Sequence, residues 1–170
     1  MDLEEALALT AMGRPPLDEL PQVATEAMLA GSDSPSLRLL AGLDLEKFDQ
    51  RDAGDLFDAA TAELGWEIPS LFEAMQIILG KLADQVNAGT LEPVEAARRA
   101  WHLFASTSLL GSDLPPELHA VYELEDGASL WAKYKQTEHR KGLDREIKEW
   151  LEYAAGRKEQ PPNRYRLPPK

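Results

Sequence analysis

Three histidines are the chain's candidates for acid–base or metal chemistry, because imidazole titrates near neutrality and ligates metals readily. His102 follows Trp101, and Glu95 lies seven residues before it, two turns back on the same side of a helix. A di-metal helical bundle instead needs Glu-x-x-His on each of two helices. No such pair occurs here. His119 has Glu117 two residues before it, a spacing that turns the two side chains apart on a helix. His139 sits among Glu138, Arg140 and Lys141 and is expected in solvent. The expected role of all three is structural, with no metal bound.

Nucleophilic chemistry is no better supplied. There is no cysteine, which removes thiolate nucleophiles, disulfides and thiolate-bound zinc or iron–sulfur centres together. Ser106, Thr107 and Ser108 fall at an expected helix end, where hydroxyls ordinarily bond backbone carbonyls. No Gly-x-Ser-x-Gly elbow is present. The 11 glycines are scattered as helix stops and build no phosphate loop. The chain is therefore expected not to be an enzyme and to use no cofactor.

Carboxylates are the abundant functional group. Asp44, Glu46, Asp49, Asp52, Asp55 and Asp58 place six acids within fifteen residues, offset only by Lys47 and Arg51. A calcium loop would need a central glycine and a closing glutamate at fixed spacing, and this run has neither. It reads as a negative surface suited to a cationic partner. Among the four tryptophans, Trp101, Trp131 and Trp150 fall on apolar stripes, whereas Trp66 lies in a Gly65-Trp66-Glu67 loop, where it either packs on the core at a helix start or serves as an interface anchor. Asp52, Asp55, Asp58 and Trp66 are accordingly the candidate partner-binding residues.

The charge is unevenly spread. Residues 1–132 carry 7 Lys/Arg against 24 Asp/Glu, a net −17, and residues 133–170 carry 11 against 6, a net +5. An acidic body repels nucleic acid and anionic lipid and attracts a basic protein. Lys133, Lys135, Arg140, Lys141 and Arg145 cluster with Tyr134 between them, but Glu138, Asp144, Glu146, Glu149 and Glu152 interrupt them at helical spacing. Nucleic acid is thus not an expected partner. The N-terminus is acidic where a secretory signal is basic, and no apolar run approaches the roughly 18 residues of a membrane span. A cytoplasmic location with no membrane contact is expected.

The elements that must position these residues are all helical. Apolar residues recurring at three and four positions, with Pro, Ser or Asp at starts and Gly at stops, predict helices over 2–12, 18–30, 35–42, 51–64, 70–87 and 91–108. Pro115-Pro116 predicts a short helix through Leu118, Val121 and Tyr122, ended by an Asp126-Gly127 turn. A last stretch over 128–155 is expected either to bend or break at Gly142 or to run on as one long helix. No alternating strand pattern or repeat appears. The expected fold is all-α, an irregular bundle of about seven to eight helices. Residues 1–156 are expected to form a single domain, and 157–170 a basic, proline-rich tail, disordered or strapped to the surface.

Two stretches carry a resemblance. Asp33-Ser34-Pro35-Ser36-Leu37-Arg38-Leu39-Leu40-Ala41-Gly42-Leu43 is similar to a phrase in small, acidic, all-helical bacterial proteins, many of them actinobacterial. There, as here, an acidic stretch and a Phe-containing helix ending in Glu63-Leu64-Gly65 follow. The run from Asn87 to Trp101 resembles the Gly…Pro…Glu-Ala-Arg…Trp helix of the same proteins. The resemblance implies a helical domain and lends no function and no catalytic residue.

These readings converge on a protein-binding module. Its sharpest form is an immunity-type inhibitor that covers the active site of a cationic toxin or effector. A regulatory or scaffold subunit of an oligomeric complex is the first alternative, and a helical enzyme of unrecognised class the second. The sequence leaves the oligomeric state open.

Overall fold

The computed structural model describes residues 1–44, 49–107 and 114–161. The described residues are all-α, with eight helices and no strand. The chain divides into two compact units, residues 1–77 and 78–170.

The first unit opens with α1 (Leu3–Ala11), capped by the Asp2 carboxylate, which accepts the Glu5 N–H at 2.9 Å. Its α2 (Leu20–Leu29) carries Pro21 in the first turn, where a missing N–H costs nothing. Helix α3 (Pro35–Ala41) begins as its sequence requires: Ser34 accepts the Leu37 N–H at 3.2 Å and Pro35 fills the first helical position. In α4 (Gln50–Leu64) Asp49 is the cap, accepting the Arg51 N–H at 2.9 Å. That helix ends at Gly65, whose φ of 64° is left-handed. The reversal lets the Gly65 and Trp66 N–H groups return to the Ala62 and Thr61 carbonyls. Helices α2, α3 and α4 pack on one another, with α1 on α2. Their apolar stripes meet in a core built on Leu20, Leu37, Leu40, Ala53 and Phe57. A long-range bond ties α3 to α4: the Ser36 N–H and hydroxyl donate to the two Glu63 oxygens at 3.0 and 2.7 Å.

Helix α5 (Leu71–Asn87) contains the boundary between the units. Ser70 and Glu73 form a reciprocal capping box at its start, with the Ser70 N–H donating to Glu73 at 2.9 Å and the Glu73 N–H to the Ser70 hydroxyl at 3.3 Å.

The second unit adds α6 (Pro93–Ala105), α7 (Pro116–Lys133) and α8 (Thr137–Ala154), which pack pairwise. Ala97, Ala100, Phe104, Leu118, Val121, Leu124, Ile147 and Leu151 are buried here. Two sequence expectations are corrected. Asp126-Gly127 is not a turn, because α7 runs straight through it. Gly127 is buried, and a Cβ placed on it would lie 3.1 Å from Ile147 Cγ1. The glycine is there to let α8 approach α7. Gly142 likewise neither bends nor breaks its helix, since α8 is continuous across it. The actual break is at residues 134–136, where Tyr134 and Gln136 are extended. No glycine or proline marks it.

The C-terminal end of α8 is fastened to α5. Gly156 adopts a φ of 70° and turns the chain so that Arg157 reaches Asp84 through two hydrogen bonds of 2.6 and 3.0 Å. Gly80, one turn before Asp84, leaves space for that guanidinium, which lies 2.9 Å from where a Cβ would stand. Asn87 adds a 2.6 Å bond to Glu152. The start of the expected tail is thus held on the surface, while residues 162–170 lie outside the described residues.

Candidate functional site

The fold places Asp52, Asp55 and Asp58 of the acidic cluster on α4. Ala53, Phe57 and Ala60 face inward, so the intervening Asp52, Asp55 and Asp58 are turned outward and all three are exposed. None of the three pairs with another described residue. Asp49 belongs to the same run but is committed as the helix cap, and Glu46 lies outside the described residues. The division into units sharpens the charge pattern. Residues 1–77 hold 4 Lys/Arg against 16 Asp/Glu, and residues 78–170 hold 14 of each. The entire formal charge of −12 therefore belongs to the first unit. One of its four basic residues, Arg38, is already bound through Nε and Nη2 to Asp33.

Trp66 is half-buried. The Gly65 reversal sets its ring against Phe57, with centroids 6.4 Å apart and planes tilted by 47°. It extends the core of the first unit and shows only part of its ring beside the end of α4.

A more exposed apolar feature lies between α2 and α3. Leu29 at the end of α2 is 84% exposed and Leu39 on α3 is 62% exposed. Two adjoining hollows of about 460 and 370 Å³ share Thr25 and Ala41, with Met28, Leu29, Arg38 and Gly42 lining the first and Pro21, Gln22, Glu26 and Leu43 the second; Leu39 lines neither. Sequence reasoning did not single out these residues, although the signal was present. Leu29 stands two positions after the buried Ala27, off the stripe of Leu20, Val23, Ala24 and Ala27. Leu39 stands between the buried Leu37 and Leu40. A large apolar residue off the inward stripe has nothing of its own helix to cover it.

The histidines are separated. His102 lines a hollow of about 250 Å³ between α6 and α7, together with Arg98, Trp101, Glu125, Ala128, Ser129 and Ala132. Glu95, its expected neighbour, turns instead to Arg99 at 3.2 Å and Arg98 at 3.9 Å. His119 lies against Tyr122, with centroids 6.3 Å apart, in an aromatic group that includes Trp101 and Phe104. His139 stacks on Tyr134 at 5.2 Å. Among the described residues no group of three or more His, Asp or Glu is arranged to hold a metal ion. Ser106 and Thr107 donate to the Leu103 and Phe104 carbonyls at 2.6 and 2.7 Å, a helix-end use of both hydroxyls. Ser108 lies outside the described residues.

Two residues of the basic stretch, Arg140 and Lys141, are engaged in local contacts. Arg140 donates to the Tyr134 carbonyl at 2.7 Å while its guanidinium lies 4.1 Å from the Trp131 ring centre. Lys141 pairs with Glu138 at 2.9 Å. Asp144, one turn after Arg140, has its carboxyl pushed up by burial, an effect the Trp131 indole N–H opposes and the nearby Glu92 charge reinforces. Among the described residues no helix is long and apolar enough to cross a membrane.

Comparison of the chain with protein-family models, with curated proteins and with solved structures found no match.

Proposed function

We propose that the chain is a cytoplasmic protein-binding module whose N-terminal unit docks a basic protein. In its sharpest form it is an immunity-type inhibitor that covers the active site of a cationic toxin or effector. The observation that carries this reading is the segregation of charge: the whole −12 lies in residues 1–77, on a unit that also leaves the α2–α3 surface apolar and open. Exposed Asp52, Asp55 and Asp58 supply a field that raises the encounter rate with a cation. Leu29 supplies apolar area beside the α2–α3 hollows to be buried once the partner arrives, at roughly 25 cal/mol for each Å² removed from water. Charge sets the rate and choice of partner, and apolar contact sets the residence time.

The test is affinity capture from native lysate at low and at high salt, with stoichiometry read by mass spectrometry. One stoichiometric basic protein, retained at low salt and lost at high salt, is the expected result. Exposed charges lose most of their reach once the screening length falls from about 30 Å at 0.01 M to about 3 Å at 1 M. A partner retained at high salt would instead favour a scaffold or regulatory subunit held by apolar contact at the α2–α3 surface, the reading that the exposed Leu29 supports.

A further inference from the structure

The hollow between α6 and α7 is the feature of the second unit that docking a basic protein to the first does not use. Its walls follow helical spacing. Arg98, Trp101 and His102 come from α6 at positions i, i+3 and i+4, and Glu125, Ala128, Ser129 and Ala132 from α7 at i, i+3, i+4 and i+7. Each helix therefore turns one continuous strip of side chains into the same space.

The two strips differ in chemistry. The α6 wall offers the exposed Arg98 guanidinium and His102 imidazole with the Trp101 ring, and the α7 wall offers the Glu125 carboxylate and the Ser129 hydroxyl. Ala128 and Ala132 are small, which keeps the space between the walls open. Arg98 reaches only Glu95, at the long distance of 3.9 Å, and that carboxylate is held more closely by Arg99. No ion pair joins Arg98 to Glu125 across the hollow, and among the described residues His102, Glu125 and Ser129 have no hydrogen-bond partner. Opposite charges facing one hollow without meeting suit a guest that carries both signs. The volume of about 250 Å³ is room for only about eight waters, at roughly 30 Å³ each, so the guest is small.

We propose that this hollow binds a free α-amino acid, its carboxylate on Arg98, its ammonium on Glu125 and its side chain against Trp101. A peptide terminus carries only one of the two charges, and an inorganic anion leaves Glu125 unanswered. A free amino acid satisfies both walls at once.

The experiment is calorimetric titration of the full chain with each of the twenty free L-amino acids. The best binder is then compared with its des-amino acid and its decarboxylated amine. At least one amino acid is expected to bind with a dissociation constant of about 1 mM or tighter. Each analogue is expected to be weaker by roughly tenfold or more, the loss of one charge-assisted hydrogen bond. Glu125→Gln should abolish the discrimination between the amino acid and its des-amino analogue, and Arg98→Gln that between the amino acid and its amine. Ala132→Trp, at an exposed position, should fill the space and block all three ligands. No amino acid binding in this range would overturn the proposal. So would a des-amino analogue equal to its parent, which would make the hollow an anion site, or an amine equal to its parent, which would make it a cation site.

Discussion

The Glu63 carboxylate shows how much one side chain can hold in the first unit. The Ser34 and Ser36 hydroxyls and the Ser36 N–H keep its carboxyl below the usual carboxylate range. A folded-state value that is depressed stabilises the fold at any pH above the unfolded value, about 4.3 for glutamate. That contribution is lost as pH falls through the depressed value. Glu63→Gln is therefore expected to be less stable than the parent at pH 6, with the difference shrinking as pH falls below about 4. Urea unfolding across pH measures this, and a difference independent of pH would show that Glu63 acts by shape alone. At the same scale, the candidate partner-binding residues were unequally legible. Asp52, Asp55 and Asp58 could be placed outside because Ala53, Phe57 and Ala60 claim the inner stripe of α4. Core packing of Trp66 was one of its two readable roles, but the partner Phe57 was not, because that contact depends on the left-handed turn at Gly65.

Among elements, two glycines in α7 and α8 make opposite demands that the sequence alone did not separate. Gly142 has no neighbour within 4 Å of a Cβ, so Gly142→Ala should stabilise by roughly 0.5–1 kcal/mol through helix propensity. Gly127→Ala gains the same propensity but pushes a methyl group to 3.1 Å from Ile147 Cγ1. Overpacking of this kind costs roughly 1–3 kcal/mol, so a net loss is expected, and it should shrink when the substitution is made in an Ile147→Ala background, which lacks Cγ1. Denaturant midpoints of these variants check both signs, and a stabilised Gly127→Ala would mean that α8 can move away at little cost. A third glycine supports a different contact. Gly80→Ala should gain more stability in an Arg157→Ala background than in the parent, because the parent must also shift the guanidinium bound to Asp84. Equal gains in the two backgrounds would show that Arg157 does not rest on Gly80. Helix starts were readable because Ser34, Asp49 and Ser70 are capping residues with one dominant use. The break at 134–136 was not, because no glycine or proline marks it; the Tyr134 carbonyl there accepts the Arg140 Nε–H.

On the scale of the whole molecule, the sequence showed an acidic body and a basic end but not the physical unit that owns the charge. Counting to residue 132 mixes two units; dividing at residue 77 shows one of net −12 and one that is neutral. That boundary falls inside α5, a helix with no punctuation at the point of division, so composition shifts did not reveal it. The functional claim rests on this segregation, and its most direct measurement is the association rate of the captured partner with the chain. The rate is followed as ionic strength rises, for the parent and for Asp52→Lys, Asp55→Lys and Asp58→Lys combined. All three positions are exposed on α4, so the variant is expected to fold. The parent should associate quickly at low salt and slow steeply as salt is added, while the variant should start roughly tenfold or more slower and depend far less on salt. Identical rates and identical salt dependence in the two proteins would contradict the account.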